Sequence, residues 1–242
     1  MVKQAIRSLF SVFNVEFALR KNLWYMDAFA VQKRIITEAR PVIFDVGASD
    51  GGVVAAYKRL YPGATIHAFE PQSESFEKLQ TANAALKDVF YNNLALSDVE
   101  GSQAFYRTQQ YASSSLLPPA RSGSFIDDHT GLAETYEVKL ETLDHYCATR
   151  AIDKIDILKM DVQGNELNIL KGSSAMLKKS AIRLIYSEVW FTKAYENQPF
   201  YEDIALYLRE YGCQPFGLYN MHWDLKLNGK NLWADAIFVK KG

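Results

Sequence analysis

PVIFDVGASDGGVVAAYKRLYPGATIHAFEP, residues 41–71, is the stretch with the clearest structural pattern in this chain. Residues 42–46 are mostly apolar, with β-branched and aromatic side chains, which is typical of a strand buried on both faces of a parallel sheet. A glycine-rich turn beginning at Gly47 leads into an amphipathic helix, and residues 65–69 predict a second strand. The stretch is therefore a β-α-β unit, and its ligand is expected outside the carboxyl ends of both strands, where Gly47 and Glu70 fall.

The kind of ligand is indicated by Ser49 and Asp45. A dinucleotide-binding turn requires glycine at the place of Ser49, because the backbone must approach a pyrophosphate closely there. Asp45, just before Gly47, suits a bound ammonium group better than a diphosphate. S-adenosylmethionine carries that ammonium, a carboxylate for the following helix N-terminus, and a ribose diol for an acid such as Glu70. The stretch favours an S-adenosylmethionine site, and the alternative is a glycine turn in an ordinary α/β domain.

The rest of the chain alternates predicted strands and helices and closes with a pair of strands. This order predicts an α/β fold with a doubly wound, mostly parallel sheet of seven strands. The third strand is predicted at residues 89–96, where Ala95 and Leu96 would give adenine an apolar slot. Ser73 and Thr142 are expected to be helix N-caps. Helices are predicted, among others, at residues 73–86, 142–149, 165–179 and 200–211.

We expect two parts in the chain. Residues 1–40 are predicted to be helical and to pack on the core, with an apolar face that also permits a peripheral membrane contact. Residues 41–242 form the main domain. A β-hairpin is predicted as an insertion at about residues 98–142. Its long connection, residues 109–134, is either a substrate-facing lid or a surface loop. The sequence is compatible with a monomer and with a homodimer.

Composition limits the classes of protein and partner. The 242 residues, 48% hydrophobic and 23% charged, suffice to bury a full globular core. A net charge of −1 argues against nucleic acid as a partner. Cys147 and Cys213 lack the spacing of a disulfide framework or a zinc site, so we expect no metal and a cytoplasmic setting. No apolar run reaches about 18 residues, so no integral membrane segment is predicted.

Asp161 is the first candidate for acid–base chemistry. A doubly wound order brings the strand at residues 155–160 beside the first strand, which places Asp161 near Asp45 and Gly47. Lys159 lies on the same strand, and an internal ion pair between Lys159 and Asp161 is the structural alternative to a functional role.

Six segments, in this order, resemble the FkbM-type family of S-adenosylmethionine-dependent methyltransferases: FDVGASDGG, HAFEP, NNLALSD, LETLDHY, IDILKMDVQGNELNILKGS and LIYSEV. The resemblance spans about residues 41–219. It implies a class I, Rossmann-like methyltransferase fold with S-adenosylmethionine as cofactor. It also implies methyl transfer to a hydroxyl group of a sugar, a glycan or glycolipid, or a secondary metabolite.

The sequence departs from the family pattern at three places. Ser49 stands where the family usually has asparagine, Gln163 replaces the acid in the pattern Lys-x-Asp-x-Glu-Gly-x-Glu, and Asn165 stands where the family often has histidine. Gln163 can donate and accept hydrogen bonds, but it cannot act as a base or as an anionic metal ligand. A mechanism that needs a second carboxylate at that position is therefore in doubt. A non-catalytic S-adenosylmethionine-binding protein and a nucleotide-dependent oxidoreductase are the alternatives to a methyltransferase.

Transfer to a hydroxyl requires in-line alignment of acceptor, methyl and sulfur, and removal of the hydroxyl proton by a positioned carboxylate or imidazole. Glu188 ends the fifth predicted strand at the same sheet edge, and His222 follows the sixth, residues 214–219, in an aromatic loop suited to stacking on a sugar. The predicted catalytic residues are, in order, Asp161, Glu188 and His222. The predicted cofactor contacts are Asp45, Gly47, Ala48, Ser49, Gly51, Glu70, Pro71, Ala95, Leu96 and Asp161.

Overall fold

Two β-sheets form the framework of the computed structural model, which describes residues 24–120, 131–224 and 229–240. The strands are β1 (Val42–Val46), β2 (Thr65–Phe69), β3 (Val89–Asn92), β4 (Ala95–Ser97), β5 (Gly101–Thr108), β6 (Leu132–Thr142), β7 (Ile155–Met160), β8 (Ile182–Trp190), β9 (Cys213–Asp224) and β10 (Lys230–Lys240). The central sheet has seven strands in the order β3-β2-β1-β7-β8-β10-β9. All its neighbours are parallel except β10, which is antiparallel to β8 and β9. The predicted doubly wound, mostly parallel α/β sheet is confirmed.

Seven helices accompany the strands in the described residues: α1 (Ala28–Ile35), α2 (Gly52–Leu60), α3 (Ser73–Ala82), α4 (Leu143–Thr149), α5 (Glu166–Lys171), α6 (Ser174–Lys178) and α7 (Tyr201–Glu210). The chain divides into two compact units between Ile35 and Ile36. The assignment of residues 1–40 to one helical segment stays a prediction, since residues 1–23 lie outside the described residues. None of the described helices is long and apolar enough to cross a membrane.

The centre of the sheet brings the ends of β1 and β7 together. Every residue of β7 is buried, as is expected of an apolar strand covered on both faces. Asp45 of β1 lies in register with Lys159 of β7, and Val46 with Met160. The segments that follow the two strands, beginning at Gly47 and Asp161, therefore start side by side, as the doubly wound order predicts.

The prediction of one third strand over residues 89–96 is wrong. β3 ends at Asn92, and the chain then leaves the central sheet to form β4, which pairs in parallel with β6. The side-chain amide of Asn92 donates to the Ala68 carbonyl at 3.1 Å, and that of Asn93 donates to the Glu70 carbonyl at 2.9 Å. These side-chain bonds take the place of further strand pairing. The predicted antiparallel hairpin is present as β5 and β6.

The predicted helix over residues 165–179 is instead two helices, α5 and α6. A Cβ at Gly172 would lie 2.1 Å from the Ser97 carbonyl oxygen, so only glycine fits at this position. The carboxylate of Asp144 then accepts hydrogen bonds from the backbone N–H groups of Ala175 and Met176, at 2.7 and 3.0 Å. These bonds satisfy free N–H groups in the first turn of α6.

The two predicted N-caps have different outcomes. Thr142 is the N-cap of α4, and its hydroxyl accepts the His145 N–H at 3.2 Å. Ser73 is instead the first residue of α3, and the N-cap is Gln72. The α3 helix also ends at Ala82, short of the predicted residue 86, because the Asn83 side chain turns back to donate to the Leu79 carbonyl.

The closing hairpin extends further than the sequence predicts. β9 runs to Asp224, beyond the predicted residues 214–219, and stays paired with β10 through register shifts. The prediction that His222 lies in a loop is therefore wrong. His222 is a residue of the edge strand, and its ring stacks on Trp233 with centroids 4.5 Å apart.

Candidate active site

The turn after β1 is shaped by the chain that follows β7. Gly47 has a φ of +74°, in the left-handed region that favours glycine. A Cβ at Gly47 would lie 1.9 Å from the carbonyl oxygen of Asp161. The backbone N–H groups of Gly47 and Ala48 both donate to the Phe69 carbonyl at 3.0 Å. Glycine is required here because of the neighbouring backbone, whatever ligand the turn receives.

Glu70 holds the same turn from the end of β2. Its carboxylate accepts the Ser49 N–H through Oε2 and the Gln72 N–H through Oε1, both at 2.9 Å. Burial raises the pKa of Glu70, and the two backbone hydrogen bonds oppose that rise. The side chain is buried and lines the pocket described below. The structure thus places a carboxylate on the pocket wall.

Asp45 lies beneath the turn instead of on the pocket surface. It is fully buried, and its Oδ1 is 2.9 Å from the Lys159 ammonium, its register neighbour on β7. Lys159 also donates to the Gly47 carbonyl at 2.8 Å. Burial opposes the charge of Lys159, but the carboxylates of Asp45 and Asp161 outweigh it and raise the Lys159 pKa. The suggested ion pair between Lys159 and Asp161 is wrong, because Lys159 pairs with Asp45. The Asp45 carboxylate, which we expected to bind a ligand ammonium group, binds the Lys159 ammonium group instead.

A pocket opens between the turn and the smaller sheet. The space within the pocket and its solvent-open mouth amounts to about 690 Å³. Its apolar wall consists of Val46, Phe69, Leu94, Ala95, Leu96, Phe105 and Leu116. Its polar lining includes Ser49, Glu70, Gln72, Ser75, Asp161, Gln163 and Asn165. The pocket is therefore apolar on one side and polar at the carboxyl ends of the strands.

Most of the predicted cofactor residues line this pocket: Gly47, Ser49, Glu70, Pro71, Ala95, Leu96 and Asp161. Asp45, Ala48 and Gly51 lie outside its lining. Gly51 has a φ of +87°, and a Cβ there would lie 2.1 Å from the Asn83 amide nitrogen. Its role in the structure is to let α3 pack against the turn.

A polar cluster stands at the edge of the pocket, after β7. Asp161 is exposed at the end of that strand. The side-chain amide of Gln163 donates to Asp161 Oδ1 at 2.9 Å and to Glu188 Oε2 at 2.8 Å. The structure thus brings together Asp161 and Glu188, two of the three predicted catalytic residues, and joins them through Gln163. His222 is not among the residues that line the pocket.

Sequence reasoning missed the residues that hold Gln163. The Tyr195 hydroxyl lies 3.0 Å from Gln163 Oε1 and 2.8 Å from the Ser113 carbonyl, and the Ser115 hydroxyl donates to the Gln163 carbonyl at 2.7 Å. Ser113 and Ser115 belong to the connection 109–134, of which residues 121–130 lie outside the described residues. No motif marks Tyr195, and the serine-rich composition of the connection was the only available signal.

Two buried carboxyl groups near Asp161 have raised pKa values. Burial is the main cause at Glu188, and the charges of Asp161, Glu166 and Asp235 add to it, so that its pKa lies well above the ordinary value. Burial likewise raises the pKa of Glu166 to about 7. Glu166 Oε1 accepts the backbone N–H groups of Val162 and Gly164, which oppose the rise. Both side chains favour the protonated form more than a solvated carboxyl does.

Residues 45–215 match the family described as the methyltransferase FkbM domain. The chain belongs to the FkbM methyltransferase family. The 2-O-methyltransferase NoeI of Sinorhizobium fredii is 27% identical over 172 residues, which cover 68% of this chain and 69% of NoeI. The 31-O-demethyl-FK506 methyltransferase FkbM of Streptomyces tacrolimicus is 30% identical over 162 residues, which cover 56% of this chain and 61% of that protein.

Solved structures show the same fold. A methyltransferase FkbM from Methylobacillus flagellatus KT superposes with a TM-score of 0.53 at 15% identity, over 83% of this chain and 44% of that chain. An rRNA methylase from Streptococcus thermophilus superposes with a TM-score of 0.50 at 10% identity, over 93% of this chain and 100% of that chain. The fold is that of a class I methyltransferase, and the chain is a methyltransferase.

S-adenosylmethionine is the methyl donor of this family, and the pocket suits it. The apolar wall from β4 and β5 suits a flat purine, and the buried Glu70 carboxylate suits a diol. Gly47 and Ser49 of the glycine turn line the pocket, whereas Asp45 does not. The residues present therefore fit the cofactor that the family uses.

Proposed function

We propose that this chain is an O-methyltransferase that acts on a hydroxyl group of a sugar, a glycan or glycolipid, or a secondary metabolite. The observation that carries the proposal is the exposed Asp161 carboxylate at the pocket edge, beside the turn at Gly47. An oxygen acceptor must lose its proton during transfer, and a carboxylate placed there can take it. Two relatives support oxygen as the acceptor atom by their names, 2-O-methyltransferase and 31-O-demethyl-FK506 methyltransferase.

The cofactor is held, in this proposal, by residues of the turn and the smaller sheet. Glu70 accepts hydrogen bonds from the ribose hydroxyls, and Ala95 and Leu96 contact the adenine. Gly47 and Ser49 give the amino-acid part access to the backbone of the turn. Asp45 supports the turn from below through Lys159. The bound cofactor supplies a methyl group already activated by the positive charge on sulfur.

Asp161 takes the acceptor proton, and the protein aligns the acceptor and excludes water. The Gln163 amide holds Asp161 Oδ1, so that the second carboxylate oxygen is left to face the acceptor hydroxyl. Residues of the connection after β5 cover one side of the pocket: Tyr111, Ala112, Ser114 and Leu116. Their cover reduces the access of water to the pocket, which strengthens the charge interactions there.

Glu188 is assigned a supporting role in this mechanism. Its raised pKa keeps it protonated under conditions in which an ordinary carboxyl group is ionised. A protonated Glu188 beside Asp161 avoids a second negative charge at the site. His222 is assigned to packing, since it stacks on Trp233 on the edge strand.

The test is a transfer assay with purified protein, S-adenosylmethionine and a panel of hydroxyl-bearing acceptors, each paired with its deoxy or methoxy analogue. S-adenosylhomocysteine release and the mass gain of the acceptor report transfer. Asp161→Asn is expected to lower kcat by about 10² to 10⁴-fold and to leave cofactor affinity within about threefold. Asp153→Asn, an exposed aspartate away from the pocket, is the matched control.

Two results would count against the proposal. Tight cofactor binding without methylation of any hydroxyl acceptor would favour a non-catalytic S-adenosylmethionine-binding protein. An equal loss of cofactor affinity and turnover in Asp161→Asn would assign Asp161 to cofactor binding.

A further inference from the structure

Gln163 is held by contacts on three sides. Its amide nitrogen donates to Asp161 and Glu188, its amide oxygen lies 3.0 Å from the Tyr195 hydroxyl, and its backbone carbonyl accepts from Ser115. Its φ is +57°, in a region that non-glycine residues seldom occupy. Such a backbone conformation persists only where the surroundings impose it, and such residues cluster at functional sites.

We propose that Gln163 is a positioning residue, which orients the Asp161 carboxylate and ties that orientation to the wall of the pocket. This inference rests on the proposed role of Asp161 as the group that takes the acceptor proton. Gln163 itself does not touch the reacting atoms in this scheme.

Both amide hydrogens of Gln163 are engaged by carboxyl groups. A side-chain amide has two N–H bonds, and in Gln163 one points to Asp161 Oδ1 at 2.9 Å and the other to Glu188 Oε2 at 2.8 Å. Both donors are used, so the amide cannot rotate without breaking both bonds. Asp161 is thereby held by one oxygen, and its other oxygen is available on the exposed side.

Glu188 lies among several charged groups. Glu188 is faced by Lys159 on β7, by Asp161 just after that strand, by Glu166 on α5 and by Asp235 on β10, and Tyr195 faces it from the loop after β8. Lys159 is already engaged by Asp45 and by the turn. A neutral amide links Asp161 and Glu188 with hydrogen bonds and adds no charge, whereas a carboxylate at this position would repel the Asp161 carboxylate and disfavour the ionisation of Glu188 further.

Tyr195 and Ser115 connect Gln163 to the pocket wall. Tyr195 is fully buried, and its hydroxyl lies between the Ser113 carbonyl and the Gln163 amide oxygen. Ser115 donates to the Gln163 carbonyl from the same segment, whose residues Tyr111, Ser114 and Leu116 line the pocket. A displacement of this segment would therefore break the Ser115 hydrogen bond to Gln163 and remove the Ser113 carbonyl from the Tyr195 hydroxyl.

The test compares Gln163→Glu and Gln163→Leu with the wild type. Gln80→Glu and Gln80→Leu are the matched controls, because Gln80 is exposed on α3 and lies outside the pocket. We expect Gln163→Glu to move the titration midpoint of the Glu188 carboxyl carbon, followed by NMR, upward by about one pH unit or more. The acid limb of the kcat–pH profile should move in the same direction, while S-adenosylhomocysteine affinity stays within about threefold.

A second variant keeps the inference testable if a change at Gln163 prevents folding. Tyr195→Phe removes the hydroxyl and introduces no charge. We expect faster hydrogen exchange in residues 111–117 and a lower kcat with an unchanged acceptor KM.

The outcomes separate the inference from the function on which it rests. If the wild type methylates no hydroxyl acceptor, the proposed function fails, and the NMR titration still reports whether Gln163 positions the cluster. If the wild type is active but the Glu188 midpoint, the pH profile and the exchange rates all match the controls, the positioning role is overturned.

Discussion

The two sides of the site are built in different ways. We call the first the glycine-turn half: Gly47, Ser49 and Glu70. We call the second the carboxylate half: Asp161, Gln163, Glu188 and Tyr195. The glycine-turn half uses backbone N–H groups and one carboxylate from a single β-α-β unit. The carboxylate half uses side chains from three separate segments. A backbone-built half tolerates few substitutions, whereas a side-chain-built half can change its chemistry while the fold is kept.

The largest expected effect breaks the glycine-turn half at Gly47. In Gly47→Ala the new Cβ would lie 1.9 Å from the Asp161 carbonyl oxygen, at a φ that disfavours side chains. We expect a loss of at least about 3 kcal/mol in the free energy of unfolding and no saturable cofactor binding. Urea unfolding and calorimetric titration measure both quantities. Gly52→Ala is the control, since its Cβ would meet only Asp50 Oδ1 at 3.4 Å. Equal behaviour of the two variants would contradict the account.

The second effect concerns the pH dependence of stability on the carboxylate side. Burial raises the pKa of Glu166 to about 7 in the folded protein. The unfolded chain keeps the lower ordinary pKa, so the native state holds the extra proton between the two values. The contribution of Glu166 is thus complete at acid pH and is lost as the pH rises through 7.

The matching measurement is the free energy of unfolding of wild type and Glu166→Gln at about pH 5 and about pH 8. We expect the wild type to lose about 3 kcal/mol more than the variant over that interval. Glu77→Gln, an exposed change on α3, should follow the wild type. Parallel pH curves for wild type and Glu166→Gln would show that Glu166 does not titrate with a raised pKa.

A third, smaller effect sharpens the difference between the halves at Glu70. In Glu70→Gln one carboxylate oxygen becomes an NH₂ group that faces the backbone N–H of Ser49 or Gln72. The variant also loses the charged acceptor that Glu70 offers to the ribose hydroxyls in our proposal, and a hydrogen bond to a charged group contributes about 1–3 kcal/mol, so cofactor affinity should fall by about 5- to 150-fold. Calorimetric titration measures the change, again with Glu77→Gln as control. Unaltered affinity would remove Glu70 from the cofactor site.

The smallest expected effect is at His222, on the edge strand. Its ring is exposed and stacks on Trp233. We expect His222→Ala to change kcat and cofactor affinity by less than about threefold, as for other surface substitutions. A decrease in kcat of about 10²-fold, as removal of a general base gives, would restore His222 as a catalytic residue.

The fold was largely predictable because its strands have strong local signals. The bounds of β1, β2 and β7 are those expected from their apolar, β-branched runs. Errors occurred where a single polar side chain redirected the chain, as Asn93 does after β3 and Asp144 does before α6. Such bonds join residues that are distant in sequence, and no local sequence pattern predicts them.

The parts of the site that lie within one β-α-β unit were predictable from the sequence, and the contacts between distant segments were not. The turn at Gly47 and the acid at Glu70 follow from one β-α-β unit. The clash that requires Gly47, the pairing of Asp45 with Lys159, and the hold of Tyr195 on Gln163 all arise between distant segments. Family resemblance marked Gln163 as a departure, but only the fold shows that it joins two carboxylates.

The most direct test of this division is a calorimetric titration of S-adenosylmethionine into three proteins: wild type, Glu70→Gln and Asp161→Asn. The account predicts saturable binding by the wild type, unchanged affinity in Asp161→Asn, and affinity weakened by about 5-fold or more in Glu70→Gln. Affinity lost equally in both variants, or lost only in Asp161→Asn, would contradict the separation of cofactor binding from methyl transfer.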